Sequence, residues 1–148
     1  MAGRIPWRVV DVQLQALRTI WISSTRPDGR PHSVPVWFLW ENGDSPAIVF
    51  SSLDNTQKNR NLSQQSWVIM HAGDGDDTYI LEGKAEPILE PTERERLNRA
   101  YMEKYVDPGS GAQATFGERD IVYRVRIRHV MTWMYGTIGN RTDWHFPS

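Results

Sequence analysis

The sequence predicts a mainly β fold, a closed or nearly closed antiparallel barrel of about six strands with two or three short helices. Short β-rich runs recur along the chain between turn signals such as Asn42-Gly43. Few segments, by contrast, carry apolar residues at helical spacing. No repeat or linker divides the 148 residues, so we expect one domain over residues 1–148 with a single core.

The first half is predicted to start with an amphipathic helix at about residues 9–19, where apolar residues recur at helical intervals. Residues 20–26 and 32–40 are β-rich and flank a tight turn at 27–30, which indicates a hairpin. Residues 47–52 form a third strand. The first three strands are therefore expected to make a meander.

The second half is predicted to contain three strands and one long helix. The strands are assigned to residues 67–72, 78–88 and 121–134, the helix to 92–106, and a C-terminal tail to about 136–148. Gly83 falls within a strand, which is typical of a β-bulge. Thr92 and Glu95 have the spacing of a capping box at the start of the helix.

Bulk composition excludes several classes of function. Basic and acidic side chains number 17 and 18, and the net charge of −1 provides no broad field that would attract nucleic acid or an anionic membrane. There is no cysteine, and no apolar run approaches the ~18 residues that a membrane span needs. We expect a cytoplasmic protein that binds neither nucleic acid nor membrane.

Several motif-like patterns are better explained as ordinary structure. Residues 109–114 match G-x-G-x-x-A, but they follow a helix and lack a βαβ context. The four histidines have neither i, i+4 pairing nor cysteine companions, and the acidic run at 74–77 lacks the spaced ligands of a calcium loop. There is no G-x-S-x-G elbow. We predict no metal site and no covalent hydrolysis.

The segment after the third strand is the strongest candidate for a binding site. Ser51-Ser52 ends the strand, Asn55 or Thr56 can cap a helix, and Lys58 falls in its first turn. A cation there opposes the helix dipole by a few tenths to about 1 kcal/mol, a cost that an anion such as phosphate would remove. The alternative is that Lys58 and Arg60 are simply solvated on a surface helix.

The stretch Gly29–Phe38 (GRPHSVPVWF), the Ser51-Ser52 pair and the helix segment Lys58–Leu62 (KNRNL) resemble the flavin/deazaflavin oxidoreductase superfamily, which includes the pyridoxamine 5'-phosphate oxidase-like proteins. Within it, the similarity is greatest to the F420-dependent reductases of actinobacteria and their relatives. It extends over about residues 10–135 in strand order. The resemblance implies a split β-barrel of the FMN-binding type and a homodimer that holds its cofactor between the subunits.

The same resemblance assigns candidate cofactor-binding residues. By position, the phosphate would be held by Ser51, Ser52, Gln57 and Lys58, with Asn61 as a weaker candidate. The ring system would be bordered by the backbone of Val34, Pro35, Val36 and Trp37. From the partner subunit, the segment from Trp133 to Tyr135 would approach the cofactor.

Two departures from the pyridoxamine phosphate oxidases bear on the choice of cofactor and substrate. Their strand-two arginine, which helps to hold the flavin phosphate, aligns with Val34, and their C-terminal arginine signature is not visible in residues 140–148. Vitamin B6 oxidation is therefore not expected. F420 is favoured over FMN, although one lost phosphate contact is worth only about 1.5–3 kcal/mol.

These implications lead to three functional hypotheses. The first is an oxidoreductase that transfers hydride between F420 or FMN and a small organic substrate, with His32 and Tyr79 as candidates for any proton transfer. The second is a non-catalytic flavin- or haem-binding carrier of the same fold. The third is a cofactor-free interaction module.

Overall fold

A computed structural model of the chain describes residues 4–135 and 140–147, which form three helices and eight strands. The helices are α1 (Trp7–Ala16), α2 (Gln57–Gln64) and α3 (Pro91–Lys104). The strands are β1 (Thr19–Thr25), β2 (Pro31–Trp37), β3 (Leu39–Glu41), β4 (Ala47–Leu53), β5 (Trp67–Gly73), β6 (Thr78–Pro87), β7 (Asp120–Trp133) and β8 (Thr142–His145). The mainly β class predicted from the sequence is confirmed.

The strands form one antiparallel sheet in the order β2-β1-β5-β6-β7-β4-β3, with β8 paired to β7. β2 and β3 stand at opposite ends of this order, yet they are consecutive in the chain and separated only by Phe38. The sheet must therefore curl round on itself. The result is a split barrel, open along the edge of β2 that faces away from β1.

Three predictions about the strands need correction. The strand predicted at residues 32–40 is two strands, because the chain leaves β1 at Phe38 and pairs with β4 instead. A simple three-strand meander is wrong for the same reason. The predicted tail contains β8, which brings the strands in the described residues to eight rather than six. Residues 136–139 and 148 of that tail lie outside the described residues.

The corner at Phe38 is held by the end of α3. The backbone N–H of Phe38 donates to the hydroxyl of Tyr105 at 2.8 Å, and its carbonyl accepts from Lys104 Nζ at 2.9 Å. The Tyr105 hydroxyl in turn lies 2.7 Å from the carbonyl oxygens of Phe38 and Arg18. Side chains thus satisfy the backbone groups that lose their strand partners where the sheet turns.

The environment of Lys104 predicts a pH dependence of stability. Burial, and then the charge of Arg18, lower the pKa of Lys104 to about 8, against about 10.4 in an unfolded chain. Between these values the unfolded state binds more protons, so the free energy of unfolding rises with pH. We expect urea unfolding of the native protein to shift to higher midpoints from pH 7 to 9, and the shift to be smaller in Lys104→Met.

The urea unfolding measurements on the native protein and Lys104→Met should stop below pH 10. Burial raises the pKa of Tyr105 to about 12. In the unfolded chain a tyrosine ionises at about pH 10, so the free energy of unfolding falls above that pH. If the unfolding midpoints of the native protein and Lys104→Met changed in parallel with pH, the lowered pKa of Lys104 would be contradicted.

The barrel interior is apolar, and α1 covers one of its ends. Val10 and Leu14 of α1 are fully buried in the same cluster as Ile22 and Leu81. The helix begins two residues earlier and ends three residues earlier than the sequence indicated. α3 packs on the outside of β4 and β7 and buries a second cluster, composed of Leu39, Val49, Leu97, Tyr101, Tyr105, Phe116 and Val122.

The cap of α3 also differs from prediction. Glu90 caps the helix, since its carboxylate accepts from the backbone N–H groups of Thr92 and Glu93 at 3.0 and 2.7 Å. These bonds lower the pKa of the Glu90 carboxyl. The predicted Thr92 and Glu95 box is therefore wrong, because the helix starts at Pro91, where its missing N–H needs no partner.

The predicted bulge at Gly83 is confirmed by a register shift between Glu82 and Gly83. A Cβ at Gly83 would lie 2.3 Å from the carbonyl oxygen of Arg126 on the neighbouring strand. We expect Gly83→Ala to lower the free energy of unfolding by about 1–3 kcal/mol, measured in urea. Gly109→Ala is the control, because its Cβ would meet nothing closer than 3.6 Å. Equal losses in the two variants would contradict the close-approach explanation.

Candidate functional site

The end of β4 is tied directly to the start of α2. Thr56 caps the helix by accepting the backbone N–H of Asn59 at 3.3 Å, and the hydroxyls of Ser52 and Thr56 are 2.5 Å apart. The amides of Gln57 and Lys58 make no hydrogen bond with the described residues, as expected at a helix start. This junction leaves two free N–H groups beside a lysine.

Lys58 is a partly buried cation without a counter-ion. Among residues 4–135 and 140–147, no carboxylate lies within ion-pair distance of its ammonium and no acceptor hydrogen-bonds to it. Burial accordingly lowers the pKa of Lys58 below its usual value. Holding a cation in this state is unfavourable, and a bound anion would relieve the cost.

His32 and Arg26 add basic groups to the same region. Burial, followed by the positive charges of Arg26 and Lys58, lowers the pKa of His32. The Nδ1 atom of His32 is buried, and it has no hydrogen-bond partner. The imidazole therefore has an unmet hydrogen-bonding atom and lies close enough to Lys58 for the lysine charge to act on it.

Gln57 and Asn61 are engaged within the fold. Asn61 is fully buried, and its amide donates to the hydroxyl of Ser24 at 3.0 Å and accepts from Gln57 at 2.7 Å. Gln57 also accepts a bond from Arg60 at 3.0 Å. These bonds fix α2 against β1, and Lys58 lies about one helical turn from Asn61 on the same side of the helix.

Ser51 and Ser52 point to opposite faces of β4, because side chains alternate along a strand. Ser52 faces the barrel with Phe50 and is bonded to Thr56. Ser51 faces outward, opposite Val122 in the cluster beneath α3. Of the two hydroxyls, only that of Ser52 shares a hydrogen-bond network with α2.

The predicted ring-bordering residues lie along a free strand edge. β2 pairs only with β1 among the described strands, so alternate N–H and C=O groups of β2 point into the split. Val34 and Val36 face the core, whereas Pro35 and Trp37 face outward. Trp37 stacks on Tyr105 with a centroid separation of 4.8 Å and an interplanar angle of 5°.

Trp133 and Tyr135 lie at the other end of the barrel from α2. Ser52 pairs with Ile121 at the start of β7, whereas Trp133 ends that strand and donates from Nε1 to the carbonyl of Gly75 at 3.0 Å. Tyr135 is 81% exposed. Within one chain, these residues cannot reach the Lys58 region.

The two candidates for proton transfer are also far apart. His32 is paired with Ser24 at one end of β1, whereas Tyr79 is paired with Ala72 near the other end of the barrel. Tyr79 is 4% exposed, and burial, then the charge of Asp77, raise its pKa. Only His32 belongs to the basic region.

Sequence reasoning missed Arg26 and Ser24. Both approach the site because the β1–β2 hairpin brings its strand ends against α2. The only sequence signal was their position near the end of the first predicted strand. The described residues contain no group of three or more His, Asp or Glu side chains arranged to hold a metal ion. No helix in the described chain has the length and hydrophobicity that a membrane span requires.

The fold and this site together define a split-barrel protein with a basic site where β4 meets α2. The family model for pyridoxamine 5'-phosphate oxidase matches residues 8–134, and the chain belongs to this family. No match was found among curated proteins.

Solved structures share the fold at low sequence identity. A conserved hypothetical protein from Mycobacterium tuberculosis has 21% identity and a TM-score of 0.76, with 93% of this chain and 90% of that chain covered. An F420 reductase has 21% identity and a TM-score of 0.59, with 81% and 94% covered. An FMN-binding protein related to pyridoxamine 5'-phosphate oxidase, from Nostoc punctiforme, has 12% identity and a TM-score of 0.61, with both chains fully covered.

Proposed function

We propose that this protein binds F420 or FMN by its phosphate at Lys58 and transfers hydride between the cofactor ring and a small organic substrate. The observation that supports it most strongly is the partly buried, unpaired ammonium of Lys58. Among the structures with the same fold, one is named an F420 reductase and another an FMN-binding protein. F420 is favoured because Val34 replaces the arginine that helps to hold FMN phosphate in the oxidases.

Phosphate recognition would use several donors around one point. The Lys58 ammonium and the free amides of Gln57 and Lys58 supply N–H groups, and the Arg26 charge adds attraction. The Nδ1 of His32 is buried and unpartnered, so it would bond the phosphate or the adjoining chain of the cofactor only after the imidazole turns. Asn61 would act indirectly, by fixing α2.

The cofactor ring would lie along the free edge of β2. Trp37 is five residues from His32, or about 17 Å along the strand, which leaves room for the cofactor's chain and ring between them. Unpaired backbone groups of β2 would bond the polar edge of the ring. When bound, the flavin or deazaflavin supplies the hydride carrier. The chain's own part is to orient the ring and exclude water.

We also propose that the protein is a homodimer. The outward side of β1, of β5 and of the part of β2 up to Pro35, termed here the uncovered face, is not covered by any described helix. Its large apolar side chains are 42–46% exposed: Trp21, Trp67 and Ile69. An apolar area of this kind on an otherwise polar surface is typical of an interaction site. A second copy would also bring its Trp133–Tyr135 segment within reach of the split.

Titration of the apo-protein with FMN, riboflavin and F420 tests the proposal. Riboflavin has the FMN ring but no phosphate, so it isolates the contribution of the anion. We expect FMN to bind at least tenfold more tightly than riboflavin and F420 to bind more tightly than FMN. Equal affinities for FMN and riboflavin would refute the phosphate site.

A second measurement distinguishes an oxidoreductase from a carrier. One equivalent of reduced cofactor is bound to the protein. Its oxidation is followed after small conjugated or carbonyl compounds are added in the absence of oxygen. Transfer to any of them supports the oxidoreductase. Tight binding without transfer to any acceptor would instead support the carrier.

A further inference from the structure

Trp37 presents a fixed, flat, apolar surface. One side of its indole stacks on Tyr105, which is 2% exposed and whose hydroxyl is bonded to the backbone at the Phe38 corner. Trp37 itself remains 42% exposed. Because Tyr105 covers one side of the indole, the other side is available to a stacking ligand.

Arg18 lies beside this pair of rings. Its guanidinium carbon is 5.3 Å from the centroid of Trp37 and 5.4 Å from that of Tyr105. Near-equal distances to two stacked rings place the cation at their edge, so it does not cover the free side of Trp37. No hydrogen bond or ion pair with the described residues uses this guanidinium.

Lys104 is a second cation at the same place. Its ammonium is 5.3 Å from the centroid of Tyr105 and donates one hydrogen bond, to Phe38, which leaves two donors. The charge of Arg18 acts on Lys104, and no carboxylate in the described chain contacts either side chain. The Lys104 ammonium also lies 4.1 Å from the ring centroid of Phe38. Two cations that have no carboxylate partner in the described chain, beside an apolar ring, favour a ligand that is flat and negatively charged.

We propose that Trp37, Arg18 and Lys104 form a binding site for an aromatic carboxylate. A ring stacked on Trp37 would carry a carboxylate in its own plane, and an in-plane anion would extend past the indole edge toward Arg18. The bidentate geometry of guanidinium suits a carboxylate. The site lies at the far end of β2 from Lys58, where the cofactor ring would end. Its assignment as the substrate site rests on the proposed function.

Binding to the apo-protein tests this site without any cofactor. The probes are 2-naphthoate and 2-naphthamide, which have the same ring and differ in charge. Calorimetry should give at least tenfold tighter binding of the naphthoate, and the indole N–H signal of Trp37, assigned with Trp37→Phe, should shift. Arg18→Gln should remove the preference for the acid. Equal affinity for both probes, or an unchanged preference in Arg18→Gln, would overturn the proposal.

Two controls keep the result specific. Arg8→Gln removes an exposed arginine of α1 and should leave naphthoate binding unchanged. Lys58→Met should also leave it unchanged, because Lys58 belongs to the phosphate region. Loss of naphthoate binding in Lys58→Met would mean that the probe occupies that region, which contradicts the Trp37 site. Failure of FMN and F420 to bind would remove the substrate role but not the naphthoate site.

Discussion

Lys58→Met is expected to weaken FMN and F420 binding by about 10- to 100-fold, the effect of losing one charge-assisted bond to phosphate worth about 1.5–3 kcal/mol. Methionine keeps the length and the apolar stem of the side chain. Riboflavin affinity should hardly change, because riboflavin has no phosphate. Fluorescence titration of the three compounds measures the effect directly.

Stability provides an independent check on the role of Lys58. Since the ammonium is partly buried and makes no ion pair with the described residues, its removal should leave the free energy of unfolding unchanged or raise it. If the lysine had a structural role, its substitution would instead lower the free energy of unfolding. Lys84→Met is the control, since Lys84 is exposed and its ammonium, which lies 5.4 Å from the ring centroid of Trp67, makes no ion pair or hydrogen bond within the described chain. Unchanged FMN binding in Lys58→Met would contradict the site.

Trp21→Glu is expected to convert the proposed dimer into monomers. Trp21 lies at the centre of the uncovered face, paired with Pro35 on one side and His71 on the other. A carboxylate there would be desolvated in the interface without a partner, a cost of several kcal/mol. Sedimentation should show a dimer for the native protein and a monomer for the variant.

The same variant should lose cofactor affinity at least tenfold if the partner's residues complete the site. Leu89→Glu is the matched control, because Leu89 is 83% exposed and lies outside the uncovered face. It should remain dimeric and bind cofactor normally. A native protein that sediments as a monomer and still binds FMN tightly would exclude the intersubunit site.

Most strands could be predicted from sequence because period-two alternation and turn residues are local signals. The break at Phe38 could not, since the residues on both sides are as β-rich as a continuous strand. β2 ends where the backbone N–H of Phe38 donates to the hydroxyl of Tyr105, which is 67 positions away in the sequence. Long-range satisfaction of backbone groups leaves no trace in local composition.

For the site, the spacing was enough to recognise Lys58 as a lysine in the first turn of a helix that follows a strand. The residues that surround Lys58 in the fold could not be recognised in this way. The opposite directions of Ser51 and Ser52 follow from strand period alone and were predictable. The approach of Arg26 and His32 to Lys58 depends on how the first hairpin crosses α2, which only the assembled barrel defines. Likewise, Arg18 and Lys104 meet only because α3 packs against the corner of the sheet.

A crystal structure of the protein with FMN or F420 bound gives the most direct test of the account. We expect the phosphate within hydrogen-bond distance of Lys58 Nζ and the amide of Gln57, with the ring along the free edge of β2. A phosphate bound elsewhere, with the Lys58 ammonium still facing no anion, would contradict it.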